Sequence, residues 1–287
     1  MVYDICFPFM TQKIRLIDTH SHLQFSFFDQ SREEKESNYR EAGGDKMILV
    51  GCDPESSQRA VEFALRHEKY FATVGVHPTC VDQLNDEVIG LFEEHIRAKR
   101  AVAIGETGLD YYHMAFSEEV QLAGLRKQAE LAKELNVPVI IHSRDKGMVS
   151  SKAEMENKSD PGAVGPSGIN ALRVLREVGV KKAIFHCFSY NLEFAKKVWA
   201  VGYHISFSGI ITYPKNEYLR EVARVAPTDK ILIETDCPYL TPQSHRGQDN
   251  EPSFVLETAK ELARVRGMTV EEAAELTARN AEELFGI

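Results

Sequence analysis

Eight short apolar runs, spaced along the 287-residue chain, restrict its fold more than any other feature. Most are nearly continuous in Val, Ile, Leu and Ala, which is typical of parallel strands buried on both faces. We predict strands at 14–18, 46–51, 71–76, 101–105, 138–142, 182–186, 203–207 and 231–235. Parallel strands need long connections, which helices usually provide.

Helical patterns fill the gaps between these runs. They lie at 55–69, 86–99, 117–136, 168–179, 191–201, 215–226, 252–266 and 270–284. This alternation predicts an α/β protein that forms a single (β/α)8 TIM barrel. A doubly wound open sheet is the alternative, but no glycine-rich phosphate turn follows the first strand.

Two segments stand apart from the alternation. Residues 1–13 form an N-terminal extension whose first ten residues are apolar but lack the basic start of a signal peptide. Residues 146–167 are rich in Ser, Gly and Pro, and predict a flexible insertion on the catalytic rim, either a mobile flap or an inert loop. Residues 14–287 are then one barrel domain.

The composition argues against several classes of protein. The formal net charge is −9, whereas a protein that holds nucleic acid mainly by neutralising phosphates is usually basic. The five cysteines form no CxxC pair, which is typical of reduced thiols in the cytosol. No run approaches the ~20 apolar residues of a membrane span. We therefore predict a cytoplasmic protein without membrane contact.

Residues that bind metals or transfer protons occupy most of the predicted strand ends. The first strand ends in His20 and His22, which lie on one strand face, about 6.6 Å apart along the chain. The later ends carry His77, Glu106, His142, His186 and Asp236. Because active sites of (β/α)8 barrels lie at the carboxyl ends of the strands, these side chains are expected to meet at one mouth.

Each of these residues alone has a simpler explanation as a hydrogen-bonded histidine or a salt-bridged carboxylate. Together they would lack partners in a buried site unless a cation were bound. The four histidines of strands one, five and six and the two carboxylates exceed the ligands of one tetrahedral zinc, and suit a dinuclear site. Glu106 can bridge two ions, and Asp236 can bind metal and accept the proton of the attacking water. These two carboxylates are the predicted catalytic residues.

Nine motifs carry a specific resemblance that runs from residue 14 to the C-terminus. They are IDTHSHL (17–23), VGVHP (74–78), AIGETGLDYY (103–112), PVIIHSRD (138–145), FHCFS (185–189), SFSG (206–209), LIETDCPYLTP (232–242), HRGQDNEP (245–252) and ARNAEELFGI (278–287). In these motifs the chain resembles the TatD family of metal-dependent DNases, within the amidohydrolase-like barrels. The resemblance implies a (β/α)8 fold and hydrolysis of phosphodiesters with divalent metals.

The resemblance also implies roles for individual residues. Two divalent ions, which could be zinc, magnesium or manganese, would be held by His20, His22, Glu106, His142, His186 and Asp236. His77 would face the substrate phosphate. The extension and the 146–167 insertion depart from the usual family pattern, and the insertion bears on substrate access rather than on the ligands.

Other residues have two open interpretations. Arg144 and Arg246 follow strands five and eight and could pair with phosphates, but structural salt bridges explain them equally well. Tyr111, Tyr112 and Phe188 could stack on bases, although core packing is their ordinary role.

These patterns predict a TatD-type deoxyribonuclease that removes nucleotides from single-stranded or frayed DNA ends. It would act on DNA as a monomer with no obligate protein partner. The alternative is an amidohydrolase, lactonase or phosphotriesterase acting on a small molecule, because one fold supports many chemistries. Many such relatives bridge their metals with a modified lysine on strand four, where this chain has Glu106, and this favours the nuclease. A metal-bearing binding protein is the non-enzymatic alternative, against which the full ligand set argues.

Overall fold

The computed structural model contains a single sheet of eight parallel strands. It describes residues 14–146 and 164–287. The strands are β1 (Leu16–Ser21), β2 (Gly44–Val50), β3 (Tyr70–Val74), β4 (Ala103–Asp110), β5 (Val139–Arg144), β6 (Ala183–Phe185), β7 (His204–Phe207) and β8 (Ile231–Ile233). Each pairs with the next in chain order. A parallel bridge between Ser21 and Cys237 joins the end of the sheet to its beginning, so the predicted barrel is confirmed.

Helices connect the strands. They are α1 (Arg32–Glu41), α2 (Pro54–Ala64), α3 (Asp86–Arg97), α4 (Glu118–Leu135), α5 (Pro166–Val178), α6 (Leu192–Ala200), α7 (Glu217–Val225), α8 (Val255–Arg266) and α9 (Val270–Phe285). Within the described ranges, none of these helices is long and apolar enough to cross a membrane.

Helix α1 is absent from the sequence prediction. Its sequence, REEKESNYRE, has no periodic apolar pattern, because Tyr39 is its only large apolar side chain. Tyr39 is fully buried, and its hydroxyl donates to the carbonyl of Lys46 at the start of β2 (2.6 Å). Tyr39 therefore anchors a helix that has no periodic apolar face of its own.

Two of the boundaries that differ from the prediction bear on the site and its surroundings. Strand β4 extends to Asp110 rather than ending at residue 105, because it continues to pair with β5 as far as Asp110 and Arg144. Glu106 therefore lies within the strand. The predicted insertion 146–167 extends too far, since α5 begins at Pro166, whose ring suits the first turn of a helix. Residues 1–13 and 147–163 lie outside the described residues.

Apolar residues of the strands pack against the last helix. This cluster contains Ile17, Ile48, Val50, Ala103, Ile140, Ile184 and Leu232 from the strands, with Ala278, Ala281, Leu284 and Phe285 of α9. Burying a large aliphatic side chain contributes about 1.5–3 kcal/mol. Along β1, β5, β6 and β8 these apolar residues precede the candidate site residues, so the polar groups collect at the carboxyl end of the barrel.

Candidate metal centre

The predicted histidines divide between the two oxygens of the Glu106 carboxylate. Its Oε2 lies 3.5 Å from His20 Nε2 and 3.9 Å from His22 Nε2. Its Oε1 lies 2.9 Å from His186 Nε2 and 3.1 Å from His142 Nδ1. One buried carboxylate therefore faces two separate groups of imidazole nitrogens.

Asp236 completes the group on the Oε2 side. Its Oδ1 lies 3.6 Å from His22 Nε2 and 3.7 Å from His20 Nε2. The backbone of Asp236 is left-handed, with φ of +58°, a conformation that Asp tolerates better than most residues. Its N–H donates to the carbonyl of His20 (2.8 Å). The loop after β8 is therefore anchored to the end of β1.

Buried Asp18 strengthens this anchor. Its carboxyl accepts hydrogen bonds from the N–H of Thr235 (3.0 Å), from the Thr235 hydroxyl (2.6 Å) and from the N–H of His20 (3.2 Å). Burial raises the pKa of Asp18 to about 8. Asp18 thus holds together the backbones that carry His20 and Asp236.

Gly108 allows β4 and β5 to approach closely at the site. Its φ is +145°, and an added Cβ would lie 1.9 Å from the carbonyl oxygen of His142. No other residue fits this position without moving a strand. Gly108 pairs with His142 in the sheet register, so the contact places His142 beside Glu106.

Hydrogen bonds on the far side of two imidazoles set their orientation. His22 Nδ1 donates to the carbonyl of Val50 (2.8 Å), and His186 Nδ1 lies 3.3 Å from Glu234 Oε1. A neutral imidazole that donates through one nitrogen has a lone pair on the other. When they are neutral, as a metal ligand must be, His22 and His186 therefore direct their Nε2 lone pairs into the site.

His142 is oriented the other way round. Its Nε2 lies 3.2 Å from Asp110 Oδ2, so its Nδ1 faces Glu106. Asp110 is buried, and it also accepts the N–H of Tyr112 (3.0 Å) and both the N–H and Nδ1–H of His113 (2.7 and 2.8 Å). Burial opposes ionisation of Asp110, but the hydrogen bond and charge of His142, together with the hydrogen bonds from His113, hold its pKa well below the usual range. Asp110 is thus a fixed, ionised acceptor.

His77 lies at the same site, but its outer nitrogen accepts a hydrogen bond, whereas the outer nitrogens of His22, His142 and His186 donate one. The N–H of Thr79 donates to His77 Nδ1 (3.2 Å), so Nδ1 is an acceptor and the proton of the neutral ring is on Nε2. Burial, helped by the neighbouring His142, lowers the pKa of His77 to about 3. Its Nε2 lies 3.7 Å from Glu106 Oε1. His77 therefore presents an N–H donor to the site rather than a lone pair.

The site keeps its carboxylates ionised. Burial alone would raise the pKa of Glu106, but His186 and His77 hold it well below its usual range. Burial likewise opposes ionisation of Asp236, but the hydrogen bond to His22 and the charges of His20 and His186 together lower its pKa. Two negative groups are therefore stable only while the surrounding imidazoles, or a cation, supply positive charge.

These groups open into one cavity of about 840 Å³. Its walls include His22, His77, Glu106, His142, His186 and Asp236. Such a volume is typical of sites for small organic ligands or part of a polymer.

Comparison with known proteins places this barrel among hydrolases. The family model described as TatD related DNase matches residues 17–286. The chain belongs to the TatD family. It is 33% identical over 274 residues to the uncharacterized metal-dependent hydrolase YabD of Bacillus subtilis strain 168, covering 95% of this chain and 99% of the relative. Membership of this family makes the chain a metal-dependent hydrolase.

Two further TatD-family proteins match over nearly the whole chain. The 3'-5' ssDNA/RNA exonuclease TatD of Erwinia amylovora is 29% identical over 280 residues, covering 95% of this chain and 100% of that protein. The crystal structure of YjjV, a TatD homolog from Escherichia coli K12, superposes with a TM-score of 0.81 at 26% identity, covering 96% and 99% of the two chains.

The donor set fits metal ions in this TatD-family protein. Among the described residues, three groups have ligand atoms within 4.8 Å of one another: His20, His186 and Asp236; His20, His22 and Glu106; and His77, Glu106 and His142. Imidazole nitrogens and carboxylate oxygens together suit zinc or manganese, and carboxylate-rich sites also accept magnesium.

The two predicted phosphate-binding arginines lie in different surroundings. Arg144 lines the cavity, with its guanidinium 4.0 Å above the ring of Tyr112. Arg246 donates instead to the hydroxyl of Tyr213 (2.8 Å) and is not among the residues that line the cavity.

The predicted stacking residues are not free to receive a base. Tyr111 and Phe188 are buried, with 7% and 1% of their surface exposed. One face of the Tyr112 ring is covered by the guanidinium of Arg144. Two aromatic residues that the sequence analysis does not single out, Phe25 and Tyr239, line the cavity instead.

Asp110 was also missed, and the structure makes a testable prediction for it. In Asp110→Asn the amide oxygen should stay at the Oδ1 position, where it accepts the backbone N–H of Tyr112 and His113, and the NH2 group should face His142 Nε2. His142 should then take the tautomer with its lone pair on Nε2 and its proton on Nδ1, toward Glu106. We expect metal affinity to fall about 10–100-fold, the usual effect of losing such an orienting partner. Calorimetric titration with Zn²⁺ or Mn²⁺ measures this. Exposed Asp86→Asn is the control, and equal affinities of the two variants would refute the orienting role.

Proposed function

We propose that this TatD-family hydrolase is a deoxyribonuclease that removes nucleotides from single-stranded or frayed DNA ends. The observation that carries the proposal is the division of the histidine nitrogens between the two oxygens of Glu106, at 3.5 and 3.9 Å on one side and 2.9 and 3.1 Å on the other. This arrangement suits two cations bridged by one carboxylate, the device of many phosphodiesterases. The name of the Erwinia relative, an exonuclease of single-stranded DNA and RNA, supports the same substrate class.

The proposed metal ligands form two sets that share Glu106. His20, His22 and Asp236 would hold one ion beside Oε2, and His142 and His186 the other beside Oε1. When bound, divalent ions supply Lewis acidity toward a phosphoryl oxygen and lower the pKa of water.

The side chains of the chain itself complete the mechanism. His77 donates its Nε2–H to a nonbridging phosphate oxygen, because its Nδ1 is occupied by the Thr79 N–H. The Asp236 carboxylate, which is ionised in the site, accepts a proton of the water that attacks phosphorus, and returns it to the sugar oxygen that leaves as its P–O bond breaks. Arg144 at the cavity wall provides positive charge for a phosphate of the DNA chain. The negative charge of the DNA is thus balanced by groups inside the cavity. A nuclease of this kind can therefore act on DNA although its own net charge is −9.

The domain organisation, oligomeric state and cellular compartment of the enzyme are also part of the proposal. We propose that residues 14–287 act as one catalytic domain and that the protein works as a cytoplasmic monomer. The described cysteines, Cys52, Cys80, Cys187 and Cys237, are free thiols, which suits a reducing compartment.

Metal removal and restoration test the function. Chelator-treated protein should not cleave 5'-labelled single-stranded DNA, and adding Mg²⁺, Mn²⁺ or Zn²⁺ should restore cleavage. Product sizing on single-stranded, blunt duplex and forked DNA should show stepwise shortening that is fastest on single strands and forked ends. Protein that binds metal but leaves all three DNAs intact, or that hydrolyses a lactone or phosphotriester instead, contradicts the proposal.

A further inference from the structure

One side of the cavity is aromatic. Phe25 stacks on the ring of His22 (centroids 4.5 Å apart, 15° between planes), and Tyr239 lies edge-on to the same ring at 6.4 Å. Tyr239 is 55% exposed, and among the exposed large apolar side chains of the described residues it is the one that lines the cavity. We call Phe25 and Tyr239 the aromatic wall.

The backbone of the aromatic wall is held in place. The N–H of Tyr239 donates to the carbonyl of Asp236 (2.9 Å), and its own carbonyl accepts from the side chain of buried Asn250 (2.5 Å). The carbonyl of Phe25 accepts from the guanidinium of Arg32 (3.0 Å). An exposed aromatic ring on a fixed backbone loses little conformational entropy when a ligand stacks on it.

The opposite side of the cavity is polar. It is formed at the ends of β4 and β5, which lie across the barrel from β1 in an eight-stranded order. His113, Ser143 and Arg144 line it. A ligand that spans the cavity therefore meets an apolar ring surface on one side and a cation with hydroxyl and imidazole groups on the other.

We propose that the aromatic wall is a nucleobase-stacking subsite, in which the base of the nucleotide next to the scissile phosphate lies on Tyr239 and the sugar–phosphate chain runs toward Arg144. This inference rests on the proposed phosphodiesterase function and deepens it. A nucleotide matches the two sides of the cavity, because it has a flat apolar base at one end and an anionic sugar–phosphate chain at the other. Every base has a π-face, so such a subsite recognises nucleic acid without selecting a sequence.

The test compares a ten-nucleotide oligothymidylate with a ten-unit tetrahydrofuran phosphodiester chain that lacks every base. The metal-loaded wild type should show a higher kcat/KM on the base-bearing chain. Tyr239→Ala should reduce this preference about 5- to 160-fold, the range for loss of one stacked base. Tyr239→Phe keeps the ring and should keep the preference. Phe27→Ala removes an exposed aromatic residue that does not line the cavity, and is the matched control.

The outcomes separate this inference from the function beneath it. A wild-type preference for bases that Tyr239→Ala abolishes, with metal content and unfolding temperature unchanged, supports the subsite. Cleavage of both chains at equal rates by the wild type, or an undiminished preference in Tyr239→Ala, overturns the subsite and leaves the phosphodiesterase function standing. Failure of the metal-loaded wild type to cleave either chain overturns both.

Discussion

Glu106→Ala is expected to eliminate metal-dependent hydrolysis and to release at least one ion per chain. Both groups of histidines face this carboxylate, so its removal takes a ligand from each proposed ion at once. It also leaves the imidazoles without the negative charge that compensates bound cations. Because metal ions contribute several kcal/mol of transition-state stabilisation, kcat should fall about 10³-fold or more. Metal analysis by inductively coupled plasma spectrometry and single-turnover DNA cleavage measure the two effects.

A buried carboxylate elsewhere in the barrel serves as the control for Glu106. Glu36 on α1 is 6% exposed and lies 3.6 Å from His67, away from the cavity. Glu36→Ala should lower stability without changing the metal content of the folded protein. If Glu106→Ala retained both its ions and its activity, neither the bridging role nor the dinuclear proposal would survive.

His77→Ala and His142→Ala should separate substrate contact from metal binding. Both rings face Glu106 Oε1, at 3.7 and 3.1 Å, yet their hydrogen bonds give them opposite polarity. His77 Nδ1 accepts the Thr79 N–H, whereas His142 Nε2 donates to Asp110. We therefore expect His77→Ala to keep its metal and to lose about 10²–10³-fold in kcat, as when one donor to a developing anion is removed. His142→Ala should lose an ion.

Metal content decides between the two roles of His77. Both variants are compared by the number of ions retained after gel filtration and by kcat on single-stranded DNA. Loss of an ion from His77→Ala to the same extent as from His142→Ala would make His77 a ligand and remove the phosphate contact from the mechanism. His77→Asn, which keeps an N–H donor, should recover part of the activity if the donor role is right.

The barrel could be predicted from the sequence because its determinants are local. Strands buried on both faces must be nearly continuous apolar runs, and each helix must present a periodic apolar face to them. Polar residues such as His142 and Asp236 stand out where those runs end. The one helix without such a face, α1, was missed, since Tyr39 alone supplies its large apolar contact.

Other features depend on contacts between segments far apart in the chain. Asp110 is four residues after Glu106 on β4, and only its approach to His142 of β5 shows that it orients a candidate ligand. The backbone of Tyr239 is positioned by a hydrogen bond from the side chain of Asn250, eleven residues further along the chain. Arg246 looks equivalent to Arg144 in the sequence, but it packs against Tyr213 instead of lining the cavity.

The sequence by itself determined the eight-stranded α/β architecture, the family and the set of polar residues at the strand ends, because apolar periodicity and motif spacing are properties of short segments. Only the tertiary structure decided how those residues divide around Glu106, which nitrogen of each imidazole faces the site, and which aromatic side chains line the cavity. Those properties depend on the direction of hydrogen bonds and on the packing of distant loops, and neither is encoded in spacing along the chain.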